Sequence, residues 1–443
     1  ALHVLVVGLA LHNIVMAELW DAGVRGTALD VVSAWKEVLL AVALVLAVWT
    51  RRRLPFDGLL TDWLALAFGA LVVVYAVLPQ GWLDGGASDR GVVLGLRHDG
   101  LAVATYFLGR ALILDRAELR RLCATILATA AGVAAFGLVD VYLIPLQWWR
   151  DSGAPGWFTE QLGFAYRGLS GLPENFVYNP GNEEPLRRLV STFLSPLAAS
   201  YMFVVALLIT AAWLERDRLR GGRLALWFGL VALLFAGLLW THTRSSYLAL
   251  AVGLVVYALA RGGEDVRARV WLAAAAVAVV GLGSVFVAVY TDIGPATTFT
   301  EEELVIQRAD AEKGGEAVEG IADASTESHW ASLRAGIRTV VRHPQGYGLG
   351  NAGSTATRTD ADVKAGESTY TELGVETGLV GGLVFIAWSV ALAWRVLPRS
   401  ALVGSMLVAM LALGLQTDIL GVPWIVYVVW ALAGSAVSPV PEE

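Results

Sequence analysis

The chain has 443 residues, of which 56% are hydrophobic and only 16% are charged, and its mean hydropathy is +0.62. About a quarter of the residues of a soluble domain are usually charged. This composition indicates a polytopic helical membrane protein and not an ordinary soluble enzyme, and no nucleic-acid partner is expected. The net charge is −7. Cys123 is the only cysteine, so the chain cannot form an internal disulfide.

Twelve apolar stretches are candidates for membrane spans, because a helix needs roughly 20 mostly apolar residues to cross a bilayer. They lie at about 1–19, 28–49, 59–78, 92–113, 119–144, 193–213, 224–240, 245–260, 270–290, 371–394, 400–416 and 418–437. Only Gln416, Asp418 and Pro423 divide the last two. The first stretch lacks a charged leader and a cleavage site, so we interpret it as a span. We predict an all-α integral membrane protein with about twelve transmembrane helices in one membrane domain, 1–443.

Arginines are distributed unevenly among the short loops. One set of alternating loops holds Arg51, Arg52, Arg53, Arg110, Arg116, Arg120, Arg121, Arg216, Arg218, Arg220, Arg223, Arg261, Arg267, Arg269, Arg395 and Arg399. The opposite short loops hold only Arg25, Arg90 and Arg244. The positive-inside rule therefore predicts that both termini are cytoplasmic.

Two long loops, 145–192 and 291–370, then fall on the extracytoplasmic side, the second of them between spans nine and ten. We expect the aromatic side chains of the first loop to lie against the membrane surface: Trp148, Trp149, Trp157, Phe158 and Phe164. Because both long loops are on this face, we expect the chemistry there.

The stretch SHWASLRAGIRTVVRHPQGYGLGNAG, 328–353, combines a row of arginines with a glycine-rich loop. Trp330, Arg334, Arg338 and Arg342 are spaced four residues apart and so share one helical face. Trp330 can hold Arg334 by a cation–π contact. Guanidinium groups suit phosphate oxygens, and amides exposed in the glycine loop can add to a diphosphate site. The same arginines could instead rest on anionic lipid headgroups.

Other cations occur close to the ends of predicted spans. Arg244 lies in the short turn THTRSSYLAL between spans seven and eight, where it either has a functional partner or extends to the membrane interface. Arg188 stands at the mouth of span six and either binds an anion or only flanks the helix. Lys36 and Glu37 in span two are interpreted as an internal structural pair, and Arg97 is a further cation in span four.

The candidate bases precede span ten. Glu367 is followed by Glu372 and Glu376, which we expect to lie further into the membrane. A carboxylate beside several arginines is either a general base or their counter-ion. His329 and His343 are the other candidate bases, although His343, before Pro344, could equally be a turn residue.

Other chemistry has little support. Asp360 and Asp362 form a DxD pair that could hold a divalent cation, but no third ligand is visible nearby, so we expect no metal. The chain has no HExxH, CxxC, GxSxG or Walker pattern, so serine or zinc hydrolases are not supported.

Four stretches resemble, in order, the O-antigen ligase and O-antigen polymerase superfamily of bacterial envelope enzymes: RRLVSTFLSP, THTRSSYLAL, HPQGYGLGN and ESTYTELGVETGLVGG. The resemblance implies a C-type glycosyltransferase fold. It implies transfer of a glycan from undecaprenyl diphosphate to a hydroxyl of a glycan or lipid acceptor, with inversion at the anomeric carbon, no metal and no cofactor. The reaction would take place at the outer leaflet of the bacterial inner membrane.

The resemblance also implies roles for particular residues. Arg244 matches an arginine implicated in holding the diphosphate, Arg334 or Arg338 could match a second one, and Arg188 would be a supporting cation. Ligases have a histidine where this chain has Glu367, although the spacing to the following glycines is kept. This departure is more similar to the polymerase-type branches, and it leaves Glu367, His329 or His343 as the base.

Two other classes compete with a transferase. A transporter or flippase of lipid-linked saccharides would use charged groups within spans as a path. Transporters often have two related halves with broken helices, and the sequence has no such halves. A scaffold of an envelope complex would leave the arginines of the outer face unexplained.

Overall fold

The structure is a computed structural model that describes residues 1–52, 54–164, 172, 176–178, 186–216, 221–261, 266–295 and 324–437. The two long loops are therefore described only in part. Nearly all of the described regular structure is helical, and one short antiparallel ladder pairs β1 (Val177–Tyr178) with β2 (Leu186–Arg187). The predicted all-α class is confirmed.

The described residues up to 164 form eight helices. They are α1 (Leu2–Asp21), α2 (Thr27–Ser33), α3 (Trp35–Arg51), α4 (Leu60–Val77), α5 (Asp89–Leu112), α6 (Arg116–Leu143), α7 (Leu146–Asp151) and α8 (Ala154–Gly156), which continues as a π-helical turn, Trp157–Gln161. Short 3-10 turns occur at Gln80–Trp82 and Ser191–Phe193.

The second part forms eleven more helices among the described residues. They are α9 (Pro196–Arg216), α10 (Gly222–Trp240), α11 (Arg244–Ala260), α12 (Val266–Ile293), α13 (Ala324–Arg342), α14 (Gly353–Thr357), α15 (Thr369–Glu376), α16 (Gly378–Val396), α17 (Ala401–Leu413), α18 (Pro423–Ile425) and α19 (Ala431–Val437), with a π-helical turn, Val426–Trp430, between the last two.

Several helix starts follow from capping side chains. Ser88 accepts a hydrogen bond from the Gly91 amide at the start of α5. At the start of α6 the Asp115 side chain accepts from the Glu118 amide and the Glu118 side chain accepts from the Asp115 amide, which completes a capping box. These caps satisfy amide groups that have no partner within the helix.

Every predicted span coincides with a helix or a broken helix, but the number of membrane crossings stays a prediction. Seven helices are long and apolar enough to cross a membrane, and α2 with α3, bent by 41° at their junction, would be an eighth. Three shorter apolar helices are Arg244–Ala260, Ala401–Leu413 and Pro423–Val437. The one predicted span not yet accounted for corresponds to α5, which carries Arg97, His98 and Asp99 in its middle.

The helices pack around α9, whose apolar segment is the most buried of the candidate spans. Helix α5 contacts α3, α4 and α19, and α11 contacts α9, α12 and α17. Helix α16 packs on α4 and α15, and α15 in turn contacts α13. One large apolar cluster runs through these interfaces. The protein is a multi-pass membrane protein.

The first long loop differs from its prediction. Trp149 and Trp157 are 1% exposed and Phe158 is 6% exposed, because they pack with Met16 and Trp20 of α1 in a second apolar cluster. The indole nitrogen of Trp149 also donates to Asp140, at 2.6 Å. The expectation that these rings lie on the membrane surface is wrong. They attach the loop to the helix bundle, while Trp148 is 44% exposed and Phe164 is partly buried.

A buried polar group joins α4 to α5. Asp62 accepts hydrogen bonds from the Tyr106 hydroxyl at 2.6 Å and from Arg110 Nε at 3.0 Å, and Arg110 also pairs with Asp57 at 2.7 Å.

Replacing Asp62 with Asn removes the carboxylate from a buried guanidinium. We expect the free energy of unfolding to fall by about 2 kcal/mol, measured as a lower melting temperature in detergent. An unchanged melting temperature would contradict this.

Candidate active-site cavity

A cavity of about 810 Å³ lies where α1, α3 and α5 meet the long loops and the segment before α18. Its lining includes Trp157, Phe158 and Phe164 from the first long loop. It also includes Ser332, Ala335 and Gly336 of α13, and residues 353–355, 357–358 and 363–367 from the second long loop. Segments that are far apart in the sequence therefore enclose one volume.

Basic side chains form part of the cavity wall. Lys36, Arg97 and Arg358 line it and are close enough to repel one another electrostatically. Glu37 is the carboxylate that Lys36 and Arg97 share, with Arg97 Nε at 2.6 Å and Lys36 Nζ at 3.6 Å from its oxygens. Lys36 is 1% exposed and donates to the Ser33 carbonyl at 2.6 Å. The predicted Lys36–Glu37 pair exists, and it is part of a group that keeps a net positive charge.

Arg358 is fixed at the cavity by the first long loop. Its Nε donates to the Leu162 carbonyl at 2.8 Å, and its guanidinium lies over the Phe164 ring, 5.3 Å from the centroid. Burial, together with the nearby charges of Arg97 and Arg90, lowers the pKa of Arg358 to about 10. The side chain is therefore still cationic at neutral pH, and an anion in the cavity would relieve the repulsion.

Acidic groups and a histidine form another part of the wall. His98 of α5 contacts Asp99 through Nδ1 at 2.7 Å and Asp418 through Nε2 at 2.8 Å. Glu372 of α15 reaches the same place, and its side chain is 4% exposed. Glu376, one turn further on, is 2% exposed. Both glutamates are buried.

Gly353 allows α14 to pass close to Glu372. Its φ is +49°, and an added Cβ would overlap the Glu372 carboxylate. We expect Gly353→Ala to lower the free energy of unfolding by about 1–2 kcal/mol, because it combines a left-handed backbone with steric overlap. The measurement is the melting temperature beside that of Gly366→Ala, where a Cβ meets only Val363 at 3.9 Å. Equal melting temperatures for the two variants would contradict the expectation.

Glu367 lies on the rim of this cavity. It lines the volume together with Gly366 and Lys364, and its side chain is exposed. Its φ of +71° is rare for a residue with a side chain, and Ser368 and Thr369 behind it are buried. The backbone of this segment is tied to the end of α17, since the Thr369 amide donates to the Gly414 carbonyl at 3.1 Å. The carboxylate is therefore presented on an anchored backbone.

The arginine row lies beside the cavity but does not line it. Arg334 and Arg338 are exposed on α13, whereas Ala335 and Gly336 of the same helix are in the lining. The stacking expected between Trp330 and Arg334 is not found between these two described side chains, and Trp330 is 50% exposed. Exposed arginines on a helix also suit lipid headgroups, so the second interpretation of the row remains open.

The glycine loop is not the amide nest that was expected. Gly350 donates to Glu376 Oε1 at 2.9 Å, the Tyr347 amide donates to the Val375 carbonyl at 2.7 Å, and Gly353 donates to Ala365 at 2.8 Å. Gly346, Gly348 and Gly350 are buried, and all have positive φ. The expectation that these amides are exposed for phosphate is wrong, because they hold the loop against α15 and its neighbours.

Arg188 and Arg244 meet at a different turn. Arg188 is 7% exposed and donates to the Thr241 carbonyl at 2.8 Å and to the Thr243 hydroxyl at 3.2 Å, so it stabilises the turn from which Arg244 begins α11. Burial, with the charges of Arg188 and Arg244, lowers the pKa of His242 to about 3. His242 is therefore neutral at physiological pH. Neither arginine lines the cavity described above.

The remaining candidates have different positions. His343 stacks on Tyr347, with 4.0 Å between ring centroids, and contacts the Leu83 carbonyl at 3.0 Å, as expected of a turn residue. The side chain of His329 lies outside the described residues. Asp360 and Asp362 are exposed, and Asp362 pairs with Lys364 at 3.4 Å.

Sequence reasoning missed most of the cavity. It noted Arg97 only as a further cation and Asp418 only as a divider between spans, and it gave His98 and Arg358 no role. The available signal was the run of ionisable residues in LGLRHDG, 94–100, within an apolar stretch. Such residues in a membrane segment usually mark a functional or tightly paired site.

The helical bundle defines a multi-pass membrane protein with a cavity that has both apolar and charged side chains in its lining. Residues 229–386 match the family model described as O-antigen ligase. The resemblance to the O-antigen ligase and polymerase superfamily is thus confirmed for this segment, which contains three of the four stretches, THTRSSYLAL, HPQGYGLGN and ESTYTELGVETGLVGG. The family supports glycosyl transfer of the ligase or polymerase type. No curated protein matches the chain.

Proposed function

We propose that the protein transfers a glycan from undecaprenyl diphosphate to an acceptor hydroxyl, with inversion and without a covalent intermediate. The observation that carries the proposal is the cavity, which combines three cations with a carboxylate on its rim. The family match of residues 229–386 supports a lipid-linked donor and a glycan or lipid acceptor in a membrane.

The cations suit the leaving group of this reaction. When the bond between the sugar and the diphosphate breaks, negative charge develops on the diphosphate, and fixed cations in a water-poor site stabilise it. Lys36, Arg97 and Arg358 carry more positive charge than Glu37 neutralises. An arginine guanidinium can also contact two phosphate oxygens at once. We therefore assign the diphosphate to this part of the wall.

Glu367 is the proposed general base. It would remove the acceptor proton as the hydroxyl attacks the anomeric carbon, which gives inversion in a single displacement. Phe164, which is only partly buried, offers a ring in the same lining on which a sugar can stack. We further propose that the protein lies in the bacterial inner membrane with both termini cytoplasmic and the cavity on the extracytoplasmic side, from the arginine pattern of the loops.

The earlier assignment of the diphosphate to Arg244, Arg334, Arg338 and Arg188 remains a competing prediction. It places the anion at the α10–α11 turn or on α13. A single comparison separates the two assignments, because donor affinity should fall in Arg358→Ala if the cavity binds the diphosphate and in Arg244→Ala if the turn does.

The function is tested with purified protein in nanodiscs and a radiolabelled undecaprenyl-diphosphate oligosaccharide. Incubation without an added acceptor should give a ladder of longer lipid-linked chains if the protein is a polymerase. Release of undecaprenyl diphosphate only after an envelope glycan or lipid is added would indicate a ligase. Movement of the donor across vesicles without any new glycosidic bond would overturn the proposal in favour of a transporter.

A further inference from the structure

Three sequence-distant segments bring possible metal ligands to one point of the cavity wall. The ligand atoms of His98 (α5), Glu372 (α15) and Asp418 (between α17 and α18) all lie within 4.8 Å of one another. Donor atoms bound about 2.0–2.2 Å from one metal ion lie roughly 3–3.5 Å apart, so small side-chain movements would bring these three atoms into coordinating positions.

The histidine is already oriented as a ligand. Its Nδ1 contacts Asp99, at 2.7 Å, and its Nε2 lies 2.8 Å from Asp418, where a bound ion would take the place of the proton between them. A carboxylate on the other ring nitrogen is the usual support of a metal-bound histidine, because it fixes both the tautomer and the ring orientation. Asp99 is fully buried, so this contact is shielded from water.

Glu372 supplies an independent observation. Its side chain is 4% exposed, faces the cavity, and has no hydrogen-bond or ion-pair partner among the described residues. A buried carboxylate without a partner is costly, because it gives up its hydration without compensation. Glu376, by contrast, accepts hydrogen bonds from the Gly350 amide at 2.9 Å and the Thr355 hydroxyl at 3.1 Å. Glu372 is thus the group that lacks a partner.

The net negative charge around His98 also favours a bound cation. Four buried or mostly buried carboxylates, of Asp99, Glu372, Glu376 and Asp418, surround a single imidazole. None of the four forms an ion pair with a lysine or arginine among the described residues. A divalent cation between them would offset this negative charge.

We propose that His98 Nε2, Asp418 and Glu372 bind one divalent transition-metal ion, of the class of Zn²⁺ or Mn²⁺, with Asp99 supporting the histidine. One nitrogen and two carboxylate ligands suit these ions, whereas Mg²⁺ prefers oxygen ligands alone. The inference goes beyond the proposed function, since the family resemblance implies transfer without a metal. The ion would join α5, α15 and the segment before α18, and would add positive charge to the cavity.

The test uses purified full-length protein in nanodiscs, treated with chelator and dialysed, without any donor present. Mn²⁺ binding is followed by the loss of the free-ion EPR signal, and Zn²⁺ binding by calorimetry. We expect about one ion per chain and a melting temperature several degrees higher with the ion. Glu372→Gln, which keeps the side-chain volume, should weaken binding at least tenfold, and Asp418→Asn should behave in the same way.

The control is the double variant Asp360→Asn/Asp362→Asn, which removes the exposed DxD pair and should bind the ion as the wild type does. Absence of stoichiometric binding of either ion to the wild type would overturn the proposal, and so would equal affinity in wild type and Glu372→Gln. Because no donor is needed, failure here is distinguishable from failure of the transfer assay.

Discussion

The Glu367→Gln variant should transfer glycan about 100- to 10,000-fold more slowly than the wild type, which is the usual contribution of a general base. Glutamine has nearly the same shape and meets the same positive φ, so the fold at this position is retained. Donor affinity should change little, because the proposed diphosphate cations are untouched. The measurements are single-turnover transfer and equilibrium binding of the radiolabelled donor.

The matched control for Glu367→Gln is Asp360→Asn. Asp360 is another exposed acid of the same loop with a positive φ of 53°, and it is absent from the cavity lining. Its variant should transfer at the wild-type rate. A Glu367→Gln protein that turns over normally would remove Glu367 from the mechanism. His343→Ala and His329→Ala, tested in parallel, would then show which histidine is the base.

The Arg358→Ala variant should bind the donor about 30- to 100-fold more weakly, which corresponds to roughly 2–3 kcal/mol for a lost hydrogen bond to a charged group. Its guanidinium is held at the cavity by the Leu162 carbonyl and the Phe164 ring, so its orientation is set before the donor arrives. Binding of undecaprenyl diphosphate without sugar should weaken by a similar factor, because the contact is to the phosphate. The measurement is equilibrium binding of both lipids.

Two variants make the Arg358 experiment specific. Arg358→Lys keeps a positive charge but loses the guanidinium that can donate to two oxygens at once. It should therefore bind the donor more tightly than Arg358→Ala and more weakly than the wild type. Arg90 is a neighbouring arginine that donates to the Gln161 carbonyl at 3.3 Å outside the cavity lining, so Arg90→Ala should leave affinity close to wild type. Equal losses in Arg358→Ala and Arg90→Ala would mean that general charge matters and not a contact.

The long apolar helices were predictable from the sequence because each depends on a local apolar run. Polar residues that interrupt an apolar run showed two further features: the boundary between the last two predicted spans at Asp418, and the polar middle of α5. The bend between α2 and α3 and the burial of Trp149 were not, because both depend on contacts with distant segments.

The cavity depends even more on such contacts. Lys36, His98 and Asp418 are separated by tens to hundreds of residues, and only the packing of their helices brings them to one volume. For the glycine loop, the sequence predicted a binding feature that the structure does not have. Its composition suggests available amides, but Glu376 and the backbone of α15 already accept the hydrogen bonds of Gly350 and Tyr347. Hydrogen-bond partners of this kind cannot be inferred from spacing.

The cavity is formed by two parts of the chain, and only one of them lies within the segment that matches the family model. Glu367, Arg358 and Glu372 belong to the segment 229–386 that matches the family, whereas Lys36, Arg97 and Asp418 lie outside it. A chimera that received only residues 229–386 from a relative would therefore combine the rim and the residue at position 358 of one protein with Lys36 and Arg97 of the other. Exchange of donor preference between relatives should require the transplantation of α1–α5 and the segment 417–424 as well.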